Sequence, residues 1–224
     1  MDIDSIVRTI TVYAIPVLFA ISLHEAAHGY VARYFGDSTA ADLGRLSINP
    51  MRHIDPFGTV ILPLILSVMQ LPALGFAKPV PVDYDRLRNP RKQMAFVAAA
   101  GPAANFAMGL AWTVIGVVLT MVFHMDRTDF FVKMAEAGIY VNAAMCVFNL
   151  IPLPPLDGGR IVTGILPLSL ARKYAQIERY GIFVFAALIA MLHFGLLTGL
   201  LASGMQMVAN IFQVLVSPLF YLFG

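Results

Sequence analysis

From Thr9 to Leu23 no residue is charged, and the helical pattern continues through HEAAHGYVARYF to a stop at Gly36, predicting a first long helix over roughly 5–35. At about 1.5 Å per residue such a helix outruns a hydrocarbon core of about 30 Å. Further apolar runs occupy roughly 57–76, 94–123, 132–151, 180–198 and 200–221, each a crossing by plain hydropathy. The run at 57–76 differs from the rest. It contains Pro63 and Pro72 between Gly58 and Gly75, which is the character of a re-entrant segment. The last two runs leave almost no loop between them, so a tight helical hairpin is predicted around Thr198 to Gly204.

Between 37 and 56, and again between 76 and 92, the pattern turns polar and rich in turn residues, and a short strand is expected in each. In DLGRLSI, Leu46 and Ile48 alternate with Arg45 and Ser47, as in a half-buried strand. In AKPVPV, Pro79 and Pro81 lack N–H groups on one edge, so only the opposite edge can pair. The expected fold class is an all-α polytopic membrane protein with about five transmembrane helices, a re-entrant segment and short membrane-associated β-strands. One domain over 1–224 is expected, with a catalytic core about 5–165 and a C-terminal helical hairpin about 178–221. Asp2 and Asp4 stand where a signal peptide carries basic residues, so the first helix is expected to be retained.

Composition supports the lipid bilayer as the solvent. Of 224 residues 59% are hydrophobic and 12% charged, with a mean hydropathy of +0.78, whereas soluble domains carry about 25% charge. The net charge of +2 includes no basic tract, which excludes a nucleic-acid surface on electrostatic grounds. Cys146 is the only cysteine, so no intrachain disulfide exists, and its apolar flanks point to packing.

The chemistry begins at His24-Glu25-Ala26-Ala27-His28. This is an H-E-x-x-H pattern on a helix, where residues four apart lie about 40° apart around the axis, so both imidazoles face one point. Zinc uses such a pair, and Glu25 can reach a metal-held water without displacing a ligand. A carboxylate within a span costs about 2.5–3.5 kcal/mol, which a bound divalent ion would offset. The competing reading is a set of polar residues lining a packed interface. Catalytic zinc takes three protein donors, and the best third donor is Asp157 in FNLIPLPPLDGGR. There Pro152, Pro154 and Pro155 forbid a regular helix and Gly158-Gly159 allow close backbone approach. The alternative for Asp157 is an N-cap for a helix beginning near Gly158. Asn149 can present its amide to a developing oxyanion or make an interhelical hydrogen bond. His53, His124 and His193 read as solvated or packed histidines.

Ligand placement also tests topology. His24 and His28 lie near the C-terminal end of the first span and Asp157 follows the 132–151 span, so both ends must share one side. With 57–76 re-entrant, that side holds 12 Lys+Arg and the other 3; a full crossing gives 10 against 5. The positive-inside rule then puts the site near the cytoplasmic face.

HEAAH, AAAGPAANF (Gly101, Pro102, Asn105) and FNLIPLPPLDGGR resemble, in order and spacing over roughly 15–165, the core of the site-2 protease family of intramembrane zinc metalloproteases. The resemblance implies that His24, His28 and Asp157 bind one Zn2+ per chain, that Glu25 is the general base and that Asn149 stabilises the tetrahedral intermediate. It implies substrates that are transmembrane proteins, cut within or near their helices, and a location in the cell membrane. Many members carry a PDZ or CBS domain, for which 224 residues leave no room. The substrate is expected to unwind and add as a strand near residues 43–48. From another class, a metal transporter could use the same His-Glu-His helix as a permeation site; the lack of acidic residues in 94–123 and 180–221 argues against it. An inactive scaffold is a third reading, opposed by the intact Glu25. Oligomeric state is left open.

Overall fold

The computed structural model describes residues 3–62, 65 and 78–223. Eight α-helices are described: α1 (Ile3–Phe35), α2 (Thr39–Asp42), α3 (Pro90–Met121), α4 (Phe130–Asn149), α5 (Asp157–Ile165), α6 (Leu168–Ala175), α7 (Gly181–His193) and α8 (Thr198–Phe223). Among the described residues, five stretches are long and apolar enough to cross a membrane: Val7–Phe35, Pro90–Met121, Phe130–Asn149, Leu168–His193 and Thr198–Phe220. Central in the bundle is α3, which packs against α1, α4, α5 and α8. It begins as the sequence suggests, with Pro90 in the first turn, where its missing N–H costs nothing. The Gln93 side chain accepts from the Asn89 N–H (2.7 Å) just before it.

α1 and α3 run antiparallel. His28 meets Val97 and His24 meets Asn105, so increasing residue number on one helix matches decreasing number on the other. Residues 36 and 89 therefore lie at the same end of the bundle. Most of 57–76, the expected re-entrant segment, lies outside the described residues; its start, Pro56–Ile61, is a π-helical turn. Asp55 accepts from the Phe57 and Gly58 amides at its head (3.1 and 2.7 Å).

The expected strands are not formed: among the described residues there is no β-strand. Where 42–48 was expected to alternate, the Leu43, Gly44 and Arg45 amides bond back to Thr39, Ala41 and Ala40 carbonyls. The segment thus closes the end of α2 instead of extending. The 78–83 segment is an irregular strap whose amides find other partners. Lys78 N–H donates to the His53 carbonyl (3.0 Å), Val80 N–H to Glu25 Oε2 (2.9 Å) and Asp83 N–H to Asp37 Oδ2 (2.8 Å). With Pro79 and Pro81 contributing no donors, a ladder would be half empty, and side-chain acceptors take what remains.

The hairpin near the C-terminus also turns earlier than expected. Residues 194–197 make the turn, and Thr198 already opens α8, its Oγ1 donating to the Gly195 carbonyl (2.7 Å). Phe212 of α8 is wholly buried and packs against Phe106 of α3, the rings inclined at 60° with 5.0 Å between centroids, which ties the hairpin to the bundle. Cys146 is buried in packing, as expected.

Candidate metal centre

His24 and His28 occupy one face of α1, four residues apart. Their Nε2 atoms stand 3.1 Å from each other. Asp157 Oδ2 lies 3.1 Å from His24 Nε2 and 3.4 Å from His28 Nε2. The three side chains are 7%, 12% and 9% exposed, so water cannot solvate them freely. They form the one group of three or more His, Cys, Asp and Glu side chains with metal-ligand spacing found among the described residues.

Local sequence explains how Asp157 arrives there. Prolines at 152, 154 and 155 keep 151–156 out of helix, with the Pro154–Pro155 bond cis. The chain then restarts as α5 with Asp157 as its first residue. Asp157 is not the N-cap, a place taken by Leu156. Close backbone contact needs the two glycines: a Cβ on Gly158 would stand 2.4 Å from the Leu150 and Ile151 carbonyl oxygens, and one on Gly159 2.2 Å from Pro154 N. Any side chain at either position would push α5, and the carboxylate with it, away from α1.

The hydrogen bonds fix which imidazole nitrogens carry protons. His28 Nδ1 faces the Val97 carbonyl oxygen at 2.7 Å, a group that only accepts, so Nδ1 is the donor. His24 Nδ1 faces Asn105 Oδ1 at 2.6 Å. In both rings the Nε2 lone pair is then free in the neutral form. Two lone pairs and a carboxylate oxygen that lacks a hydrogen-bond partner thus point at one another in a buried space, which is repulsive unless a cation sits among them. A tetrahedral zinc with bonds of about 2.0–2.1 Å has ligand–ligand edges of about 3.3–3.4 Å. The observed separations of 3.1, 3.1 and 3.4 Å come within about 0.2 Å of that set, and three donors leave the fourth position that catalytic zinc keeps open. The donor types, two nitrogens and one oxygen, fit zinc.

Arg160, one turn further along α5, is held charged by Tyr84, Glu178 and Asp157 against the opposite pull of burial. Its guanidinium donates to Glu178 (2.6 Å) and Tyr84 Oη (3.4 Å), which fastens α5 to the strap side of the site.

Glu25 is half-buried, with Oε2 accepting from Val80 N–H. Asn149 ends α4, and its Nδ2 donates to the Met145 carbonyl (3.0 Å); none of its hydrogen bonds reaches the three ligand candidates. His53 is fully buried, with Nε2 against the Ser47 carbonyl (2.7 Å), and is packed rather than solvated. His193 is exposed on α7 and His124 caps the turn after α3 at positive φ; neither approaches the site.

Three residues of α3 outside the two ligand motifs complete the site. Val97 orients His28, Asn105 orients His24, and Gly101 lets both rings lie against the helix. A Cβ at 101 would stand 2.4 Å from His28 Nε2 and 2.6 Å from His24 Nε2. The signal was present in the four-residue spacing of Val97, Gly101 and Asn105, which puts them on one stripe.

The family model described as peptidase family M50 matches residues 12–134 and 123–192. YwhC of Bacillus subtilis (strain 168), a candidate zinc metalloprotease by name, is 33% identical over 213 residues, 92% of each chain. Rip2 of Mycolicibacterium smegmatis, named in the same way, is 29% identical over 173 residues, covering 77% of this chain and 64% of its own. Rip2 of Mycobacterium tuberculosis (strain H37Rv) is 26% identical over 148 residues, 63% of this chain and 52% of its own. No solved structure matches the chain.

Proposed function

The chain belongs to peptidase family M50, and from that premise we propose that this integral membrane zinc metalloprotease hydrolyses peptide bonds within or near transmembrane helices of other membrane proteins. In this reading His24, His28 and Asp157 hold one zinc per chain. Support comes chiefly from the two Nε2 lone pairs and the unpartnered carboxylate oxygen meeting within 3.1–3.4 Å in a buried space.

When bound, zinc supplies a Lewis acid that polarises a peptide carbonyl and makes water nucleophilic at neutral pH. The chain's own residues do the rest. Glu25 takes the proton from the attacking water on its carboxylate and passes it to the departing amide nitrogen. Asn149 has a second amide hydrogen beyond the one given to Met145, and in this reading it faces the developing oxyanion once substrate is bound. Burial of the trio excludes bulk water from the charged groups. A substrate helix must unwind first, because its carbonyls are hydrogen-bonded and shielded.

We place the site near the cytoplasmic face of the cell membrane on the excess of Lys and Arg flanking the ligand-bearing ends, 12 against 3 with residues 36–89 on one side. The antiparallel pairing of α1 and α3 agrees with that arrangement. The test is co-expression of a tagged single-span protein with wild type and Glu25→Gln, with zinc measured on both purified proteins. Both are expected to hold about one zinc, and only wild type to cut, since a lost general base costs about 10²–10⁴-fold. Cleavage by Glu25→Gln at the wild-type rate would remove Glu25 from the chemistry; metal flux in liposomes with no cleavage would make the protein a transporter.

A further inference from the structure

Asn142 lies on α4, wholly buried, and none of its hydrogen bonds reaches the ligand candidates. Its Nδ2 donates to the Gly138 carbonyl at 2.9 Å, which leaves Oδ1 facing Asn105. Asn105 Nδ2 donates to that oxygen at 3.1 Å and to the Ala20 carbonyl at 3.1 Å. Asn105 Oδ1 is thereby turned toward His24 Nδ1. Each link has only one workable direction. Flipping Asn142 would set its NH2 against the NH2 of Asn105 and its oxygen against the Gly138 oxygen; flipping Asn105 would set an N–H donor against His24 and an oxygen against two oxygens.

We infer that Asn142 is a positioning residue for the metal centre: through Asn105 it sets the tautomer of His24, keeping the proton on Nδ1 and the Nε2 lone pair toward Asp157. The inference rests on the reading of His24 as a zinc ligand. Its physical basis is that a metal-binding imidazole is oriented by what its other nitrogen donates to. Here that acceptor is a neutral amide, which can turn the wrong way, so a second amide is needed to hold it. A carboxylate would need no such lock. The relay also joins α1, α3 and α4 through buried polar groups, and packing around Gly138 is thereby linked to a nitrogen two helices away.

The test measures zinc affinity of full-length protein in nanodiscs by chelator competition, with thermal unfolding alongside. Asn105→Leu is expected to weaken zinc about 10–100-fold. Asn142→Leu should weaken it about two- to tenfold, the worth of one net hydrogen bond. In the Asn105→Leu background, and in Asn105→Asp, where either orientation offers His24 an oxygen, Asn142→Leu should cause no further loss of affinity. An equal loss in all backgrounds would make Asn142 merely a packing residue and overturn the inference. Nitrogen NMR of histidine-labelled, zinc-free wild type at about pH 8.5, two units above the ordinary imidazole value, needs no variant. It is expected to find His24 protonated at Nδ1, and a proton at Nε2 would overturn the relay even if every variant failed to fold. Wild type that binds no zinc but shows the Nδ1 proton would sink the zinc reading while leaving the relay standing.

Discussion

The bundle of α1, α3 and α4 and the hairpin of α7 and α8 are both apolar enough to sit in lipid, but they are held in opposite ways. In the most apolar stretches of α1, α3 and α4, 39%, 22% and 39% of residues are buried by protein; in those of α6–α7 and α8 the shares are 11% and 17%. The first region hides its polar side chains inside: His24, Asn105, Asn142 and Asp157 are buried and joined to one another or to backbone. The second wears its polar groups outside, with Gln206 bonded to Asn210 on the exposed face of α8 (2.8 Å). Inside a bilayer there is little hydrophobic gain in bringing helices together, so close packing and interhelical hydrogen bonds must do it. The first region uses both devices; the hairpin depends on a few anchors such as Phe212.

Removing a ligand is the most severe way to break this contrast. Asp157→Ala or His28→Ala is expected to lower zinc from about one per chain to near zero on metal analysis; a full complement of metal in Asp157→Ala would move the third donor elsewhere. Next in size is a matched pair of glycines. Gly101→Ala inserts a methyl into the two imidazoles, an overpacking of about 1–3 kcal/mol, with weaker zinc binding. Gly199→Ala, where nothing stands within 4 Å, should leave stability within about 0.5 kcal/mol. Unfolding midpoints and zinc affinity measured on both would expose equal effects, which would end the comparison.

A pH series sharpens it further, through the loop that ties the strap to α1. Burial pushes the Asp37 carboxyl up, but bonds from the Thr39 hydroxyl and amide and the Asp83 amide, with the charge of Arg86, hold it below its ordinary value. A carboxyl lowered by folding stabilises fully above its unfolded value of about 3.9, and that share is lost as pH falls through the folded value. Asp37→Ala should therefore cost about 1–3 kcal/mol at pH 7, and the gap to wild type should close in acid; a gap independent of pH would assign the cost to packing. The smallest effect belongs to the hairpin. Gln206→Leu is expected to change unfolding by less than about 0.5 kcal/mol and zinc affinity not at all.

Much of the site was legible because its spacing is local. His24 and His28 share a face by helical geometry alone, and the prolines and glycines around Asp157 announced a backbone that breaks and approaches closely. Asn149 follows from the same local pattern, and one of its two amide hydrogens is bonded within its own helix. The strands failed because alternation over 42–48 is too short to outweigh the closing turn of α2, and 78–83 has too few donors for a ladder. Asn105 was visible as a residue but silent as a role, since its meaning depends on which helix faces it.

The sequence by itself determined that the chain is apolar enough for lipid, that His24 and His28 share one face of a helix, and that 151–156 cannot be helix. These follow from composition, from the 3.6-residue period and from proline's missing N–H, none of which needs a partner. Only the tertiary structure decided that Asp157 meets the two imidazoles, that Val97, Gly101 and Asn105 form the wall behind them, that Val80 holds Glu25, and that each ring turns Nδ1 toward an acceptor on α3. A hydrogen bond between residues 81 positions apart is a property of how α1 and α3 cross, and no local pattern encodes the direction in which an amide must point.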